Sequence, residues 1–188
     1  MNAPIRPPLI LTDAQFEDMA RKGAFSGVGR VELRGGMLTP MSPVHLSHSN
    51  VQLALILAVG KAIEQAGLKL RLNPEISVAF GRGFQPTADI VVWDPALAGG
   101  DFDGPIPGGA VKLVIEVADA SLGDDLGAKL GDYAEAGLTE YWVADVRGRL
   151  ILRHQRPAGR EYKVRSPLRF GEAAPALTLP LSLDTTTL

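Results

Sequence analysis

Leu113-Val114-Ile115-Glu116-Val117-Ala118 is an apolar, β-branched run interrupted by one carboxylate. With Lys112 before it, a run of this length and composition reads as a strand covered on both faces, as at the centre of a helix-flanked sheet. Side chains alternate along a strand, so Glu116 shares a face with Val114 and Ala118. An unpaired charge in such a place costs several kcal/mol. Glu116 therefore binds a cation, pairs with a basic residue, or stands where the strand opens into a cleft.

Asp89-Ile90-Val91-Val92-Trp93 is a second short apolar run, and Asp89 at its start raises the same question. The Gly- and Pro-rich residues 95–109 between the two runs read as a surface loop, because neither flank is stable alone. Residues 68–80 alternate as one bent strand or two short ones, split at Asn73-Pro74. Before them a helix over 48–66 carries the stripe Val51, Leu55, Val59, Ala62 and Ile63, with Ser47 or Ser49 as its cap and Gly67 as its stop. Thr12 and Gln15 form a capping box for a helix over 13–22. Residues 30–41 read as a hairpin about Gly35-Gly36, with Glu32 pointing opposite to Val31 and Leu33.

Downstream, Asp124 and Asp125 suit the positive end of a helix that runs to about Ala136 and stops at Gly137. A strand over 140–145 follows at once. Residues 150–184 read as hairpins and extended tail, in which Pro167, Pro175 and Pro180 limit any central strand. The expected fold class is α/β (α+β), with a central mixed sheet, an N-terminal helix and hairpin, and C-terminal β-hairpins. The 188 residues suit a single domain, with a core over about 11–153 and a β extension over about 154–188.

At 46% hydrophobic and 21% charged residues, the chain lies inside the globular range and a packed core follows. It has no cysteine, which excludes disulfides, thiolate metal sites and cysteine nucleophiles. Any metal is then held by oxygen or imidazole, which favours Mg or Mn. The first eleven residues show no apolar leader core, and no later segment reads as a membrane span, so no membrane partner is expected and a cytoplasmic location is. A net charge of -2 supplies no global attraction for nucleic acid. One local basic stretch exists over 147–169, where Arg147, Arg149, Arg153, Arg156, Arg160, Lys163, Arg165 and Arg169 are opposed only by Glu161. It is either a phosphate-contacting patch or the solvated face of a hairpin.

Two carboxylates on neighbouring strands repel each other unless a divalent ion neutralises them, so Asp89 and Glu116 explain each other as metal ligands. An ion held by so few protein groups keeps positions for water and a substrate phosphate. The alternative is a structural ion pair with Lys112, Arg82 or Lys129. On the helix after the second strand, Leu126, Leu130 and Tyr133 face the core and Lys129 lies at the edge of that stripe, within reach of Glu116. An ammonium there could position a water, help remove its proton, or offset charge on a phosphorane-like transition state. Glu32 is either an exposed residue paired with Arg30 or Arg34 or part of the site. His48 either caps its helix or lines the site and contacts substrate.

The order of these residues resembles the putative restriction endonuclease family of the PD-(D/E)XK nuclease superfamily. The resemblance runs through Glu32 in an early hairpin, Ala88-Asp89-Ile90-Val91-Val92, the strand bearing Glu116, and Asp125 to Tyr133 followed by Glu140-Tyr141-Trp142-Val143. It implies a restriction-endonuclease-like α-β-β-β-α-β core, Asp89 and Glu116 as metal ligands with the main-chain carbonyl of Val117, Lys129 as the catalytic lysine, and Glu32 as a supporting acid. Two positions depart from the pattern. Ala88 replaces the usual proline, and Ala118 replaces the lysine expected two residues after the Glu, so that Lys129 stands in for it from the following helix.

The leading reading is thus a Mg-dependent endonuclease hydrolysing DNA phosphodiester bonds, with Arg149 and Arg153 of the basic stretch as substrate contacts. The alternative is a catalytically inactive nuclease-fold protein that binds nucleic acid or a protein partner, motivated by Ala118. A hydrolase of a smaller phosphate ester ranks third, because there is no phosphate loop or nucleophile elbow. A homodimer has only symmetry grounds.

Overall fold

The computed structural model describes residues 8–100 and 103–188. Residues 1–7 of the stretch read for a leader, and 101–102 of the Gly/Pro-rich loop, lie outside the described residues. In chain order the helices and strands are α1 (Asp13–Arg21), β1 (Val31–Arg34), β2 (Met37–Pro40), α2 (Leu46–Gln65), β3 (Arg71–Ala79), β4 (Thr87–Trp93), β5 (Ile106–Pro107) and β6 (Val111–Ala118). They continue with α3 (Leu122–Asp125), α4 (Ala128–Glu135), β7 (Glu140–Asp145), β8 (Leu150–Ala158), β9 (Glu161–Arg169), β10 (Ala174–Pro175) and β11 (Ser182–Leu183). Among the described residues one seven-stranded mixed sheet runs β5-β3-β4-β6-β7-β8-β9. The β6–β7 pair is parallel, joined through α3 and α4 on one face, and the run α2-β3-β4-β6-α4-β7 has the expected α-β-β-β-α-β order.

Both faces of the central strands are covered, which is why they read as unbroken apolar runs. On one face Val91, Val114 and Tyr141 pack with Leu130 and Tyr133 of α4. On the other, Ile90, Ile115 and Trp142 pack under Leu55 and Val59 of α2 and under Leu183 of the C-terminal tail. The tail is anchored by Glu140, fully buried, which accepts hydrogen bonds from the backbone amides of Leu177 and Thr178 at 2.7 Å each.

Several local expectations need correction. The helix expected from Asp124 to Ala136 is two helices broken at Gly127 (φ −111°, ψ −105°). The physical signal is the pair Gly123 and Gly127, each about 1 kcal/mol poorer than Ala in a helix. Neither Ser47 nor Ser49 caps α2; His45 occupies that position without a side-chain cap, and the Ser47 hydroxyl instead donates to Asp119. Residues 71–79 form one strand despite Pro74, with Glu75 at φ +50°, a sparsely populated conformation for a residue bearing a side chain. The 95–109 loop carries the short β5, parallel to β3. Glu32 points away from Leu33 as expected, yet both are buried, because the β1–β2 hairpin lies on the body of the protein and Leu33 exchanges backbone hydrogen bonds with Gln85. Finally, α2 is long and apolar enough by length and composition to cross a membrane, with mean hydropathy 1.2 over its 18-residue window. Asn50 and Gln52 interrupt its apolar residues without lowering that average enough to exclude it.

Candidate active site

The antiparallel β4–β6 ladder runs outward to Ile90 opposite Ile115 and stops. One step further would set Asp89 opposite Glu116. Instead Asp89 Oδ2 accepts the Val117 N–H at 2.7 Å, so a carboxylate takes the place of a strand carbonyl and the strands part around a cleft. Into that gap α4 sends two side chains from one helix face. Lys129 and Tyr133, one turn apart, both reach Glu116 Oε1, Lys129 Nζ at 3.0 Å and the Tyr133 hydroxyl, donating, at 2.7 Å. Glu32 comes from β1, with Oε2 3.9 Å from Lys129 Nζ, and accepts the Thr87 N–H at 3.3 Å. Glu116 and Lys129 are buried, 2% and 7% exposed, so their charges are shielded from bulk water.

Burial pushes the Glu116 carboxyl up to about 8, with Asp89 and Asp125 adding to the shift and Lys129 and Tyr133 opposing it. Burial alone would lower the Lys129 ammonium, but Glu116, Glu32 and Asp125 together hold it well above its ordinary value. These two shifts compete, since the support Lys129 draws from Glu116 fades if Glu116 is protonated. Lys129 stays charged on the remaining carboxylates, and Glu116 is the member of the pair that readily holds a proton.

Asp89 also faces α2. His48 Nε2 lies 3.6 Å from Asp89 Oδ1, outside hydrogen-bond range, yet the carboxylate holds the imidazole above its ordinary 6.5 against the effect of burial, with Glu75 and the Val117 carbonyl adding smaller contributions. Ligand atoms of His48, Glu75 and Asp89 all lie within 4.8 Å of one another. Gln52 donates to Glu75 at 2.7 Å and to the Asp89 carbonyl at 3.0 Å, and Arg30 contacts the other Glu75 oxygen at 2.5 Å. Glu75, Tyr133 and Asp125 are absent from the sequence-based site. Asp125 is buried, not exposed at a helix end; Ser121 donates to it at 2.5 Å and burial raises its carboxyl. Glu75 sits in an ordinary alternating stretch, and only the fold turns it toward Asp89.

The structure thus brings Asp89, Glu116, Val117, Lys129, Glu32 and His48 to one cleft of ≈ 150 Å³. It does not bring Arg149 or Arg153 there, so the expectation that they contact substrate is not met at this cleft. Arg153 is buried, and its guanidinium donates to the Ser166 hydroxyl at 2.7 Å and to the Pro175 carbonyl. Arg149 donates to the Leu188 carbonyl at 2.8 Å and lies over the Phe170 ring. Both hold the C-terminal tail. The basic side chains of the cleft are Arg30, Arg34 and Lys129, and Arg34 is itself bound to Asp124 at 2.6 Å and Asp132 at 3.1 Å.

The donor set fits a hard divalent cation: seven carboxylates line the cleft against three arginine or lysine side chains, and burial raises the Glu116 carboxyl despite Lys129 beside it. A family model described as "Putative restriction endonuclease" (Uma2) matches residues 13–187. The chain belongs to the Uma2 family. Membership supports a nuclease, hence a hydrolase. No curated protein matches the chain. Among solved structures, one described as "a putative nuclease belonging to DUF820 from Anabaena variabilis ATCC 29413" is similar with TM-score 0.69 and 14% identity, covering 96% of this chain and 98% of that chain. At that identity the likeness shows the fold, a mixed α/β nuclease fold like that expected from the sequence.

Proposed function

We propose that this Uma2 chain is a metal-dependent endonuclease that hydrolyses DNA phosphodiester bonds. The observation that carries the reading is the convergence of Asp89, Glu116 and Lys129 where two central strands part. Asp89, Glu116 and the Val117 carbonyl would hold a Mg or Mn ion, which when bound supplies Lewis acidity toward a phosphate oxygen and its water.

The remaining work falls to the protein's own groups. Lys129 is protonated, so it cannot serve as the base that takes a proton from the attacking water; its ammonium positions that water and offsets charge developing on the phosphate. Glu32 and Glu116 hold the ammonium in place from two sides. Tyr133 fixes the rotamer of Glu116, and the exposed part of Arg30 is available to a phosphate at the rim. Because Lys129 reaches Glu116 from α4, Ala118 costs the site no ammonium. A cysteine-free chain suits a cytoplasmic setting, and cutting both strands of a duplex calls for a homodimer.

The test is cleavage of supercoiled plasmid and of single- and double-stranded oligonucleotides with Mg or Mn. Cleavage is expected to vanish with chelator, in Glu116→Gln and in Lys129→Met. Binding of DNA without turnover under every condition would overturn the enzyme reading in favour of a non-catalytic one.

A further inference from the structure

We propose that the outer face of β9 is a second contact for the nucleic acid, in which Lys163, Arg165 and Arg169 grip the phosphate backbone where it leaves the cleft. The inference rests on the reading of the chain as a nuclease and adds where its substrate is held. Three independent features carry it.

The first is which cations remain free. Residues 147–169 hold eight basic side chains against Glu161, and the fold occupies four of them. Arg147 binds Asp119 at 2.8 Å, Arg149 and Arg153 hold the tail, and Arg160 binds Asp132 and Glu135. The other four, Arg156, Lys163, Arg165 and Arg169, are exposed. Among the described residues the side chains of Arg156, Arg165 and Arg169 have no hydrogen-bond or ion-pair partner. Lys163 comes only within 3.8 Å of Glu161, with both side chains in water, where such a pair is weak.

The second is register. Glu116 pairs with Val143, Val143 with Leu152, and Leu152 with Pro167, so one row across the sheet leads from the cleft to β9 on the face where α4 packs. Three strand spacings make that row about 14 Å long, which is the rise of about four base pairs. Arg165 and Arg169 lie two residues to either side of Pro167 and leave β9 on the same face, with Lys163 one step beyond.

The third is charge. Beside the end of this row a groove of ≈ 230 Å³ opens between Leu126 and Leu130 on one side and Arg165 and Pro167 on the other, and no carboxylate lines it. The cleft, by contrast, has seven carboxylates against three arginine or lysine side chains. Glu172 stands beside Arg169, but its carboxylate accepts the Arg169 backbone N–H at 2.9 Å. A phosphate backbone leaving the acidic cleft therefore meets unpaired cations within a fraction of a duplex turn. Charged side chains and proline also protect an edge strand from pairing with other chains, but carboxylates would serve that purpose equally well.

The experiment is fluorescence anisotropy of a duplex of about 20 base pairs, in EDTA and across a salt series, with circular dichroism to confirm that each variant is folded. For the wild type, log affinity is expected to fall against log salt with a slope of about −3. Arg165→Gln with Arg169→Gln should bind at least ten-fold more weakly at low salt and flatten the slope by about two. Arg21→Gln with Lys69→Gln, an equal loss of charge from exposed residues on other elements, should stay within two-fold of wild type. Arg165→Glu with Arg169→Glu keeps the edge charged and should bind more weakly still.

Equal losses in the two Gln pairs would mean that net charge alone acts. Wild-type binding by the Glu pair would mean that the cations only protect the edge, and equal competition by poly-L-glutamate would mean an anion-exchange face with no fit to a nucleic-acid backbone. Each of these overturns the proposal. Hydrolysis of bis(p-nitrophenyl) phosphate with Mn reads the cleft by itself, since so small a diester cannot span the row. Hydrolysis that is lost in Glu116→Gln, beside duplex binding indifferent to the β9 variants, overturns the contact and leaves the nuclease reading standing. Duplex binding that weakens in the β9 variants, with no hydrolysis of diester or DNA under any metal, upholds the contact and counts against that reading.

Discussion

The Tyr133 hydroxyl donates to Glu116 Oε1 at 2.7 Å, and both residues are buried. A neutral donor therefore shares with Lys129 the task of keeping a carboxylate ionised inside the protein. Removing it in Tyr133→Phe is expected to destabilise the fold by about 1–2 kcal/mol. It also drives the Glu116 carboxyl further up, so a proton competes more strongly for the site. Mn affinity should then fall more at pH 6.5 than at pH 8. Equal loss at both would mean that Tyr133 acts on packing alone.

Lys129→Met leaves Glu116 buried beside one neutral partner, and loss of one member of such a pair costs roughly 3–5 kcal/mol. Because Glu116 escapes by taking a proton, the penalty should deepen as pH rises past 8. Combining Lys129→Met with Glu116→Gln removes both charges and should recover stability to within about 1 kcal/mol of wild type. Urea denaturation of the two single variants and the double variant measures the coupling, and additive losses would deny the pair any energetic link.

Gly127 sits at the break that sets the start of α4. A side-chain carbon there would lie 2.6 Å from the Gly123 carbonyl oxygen, so Gly127→Ala must shift backbone. About 1–3 kcal/mol of strain is expected. Cleavage should fall further than global stability explains, because Lys129 lies two residues on. A variant with wild-type Tm would mean the break is not sterically required.

His154 is held below its ordinary 6.5, first by burial and also by Arg165, and its Nδ1 is buried without a partner. Below pH 6.5 the unfolded chain takes up a proton that the folded chain resists, so this residue's contribution to stability is intact above 6.5 and is lost as pH falls toward the folded value. His48, raised instead, has the opposite dependence: its contribution is complete below 6.5 and is lost at higher pH. Comparing wild type with His154→Phe separates them. The Tm advantage of His154→Phe should grow between pH 7 and pH 5.5, and a constant difference would show that His154 does not titrate in that range.

Glu140 receives the Leu177 and Thr178 amides, the Thr178 hydroxyl and the Trp142 indole N–H. Glu140→Gln turns an acceptor into a donor facing donors, at a cost of about 2–4 kcal/mol. Amide exchange at Leu177 and Thr178 should accelerate while that of α4 stays slow. Unchanged exchange in the tail would place its anchor elsewhere.

Periodicity made the central strands, α2 and the inward reach of Lys129 legible in the sequence, because side-chain direction follows from position within one element. The Thr12–Gln15 capping box is read the same way, since both its hydrogen bonds close within one turn. Glu116 stood out because a charge in an apolar strand is costly wherever that strand lies.

Tertiary structure alone decided which polar residues found partners from elsewhere in the chain. Arginine at 149 and 153 is compatible with a free basic face or a covered one; the returning tail buries Arg153 against the Pro175 carbonyl and engages the still exposed Arg149 through the Leu188 carbonyl. Glu75 looks like any exposed strand carboxylate until Gln52 of α2 and Asp89 of β4 meet it across the sheet edge. Local patterns fix the direction in which a side chain leaves its own element, but what it meets depends on segments far off in sequence, and those contacts exist only once the chain has closed on itself.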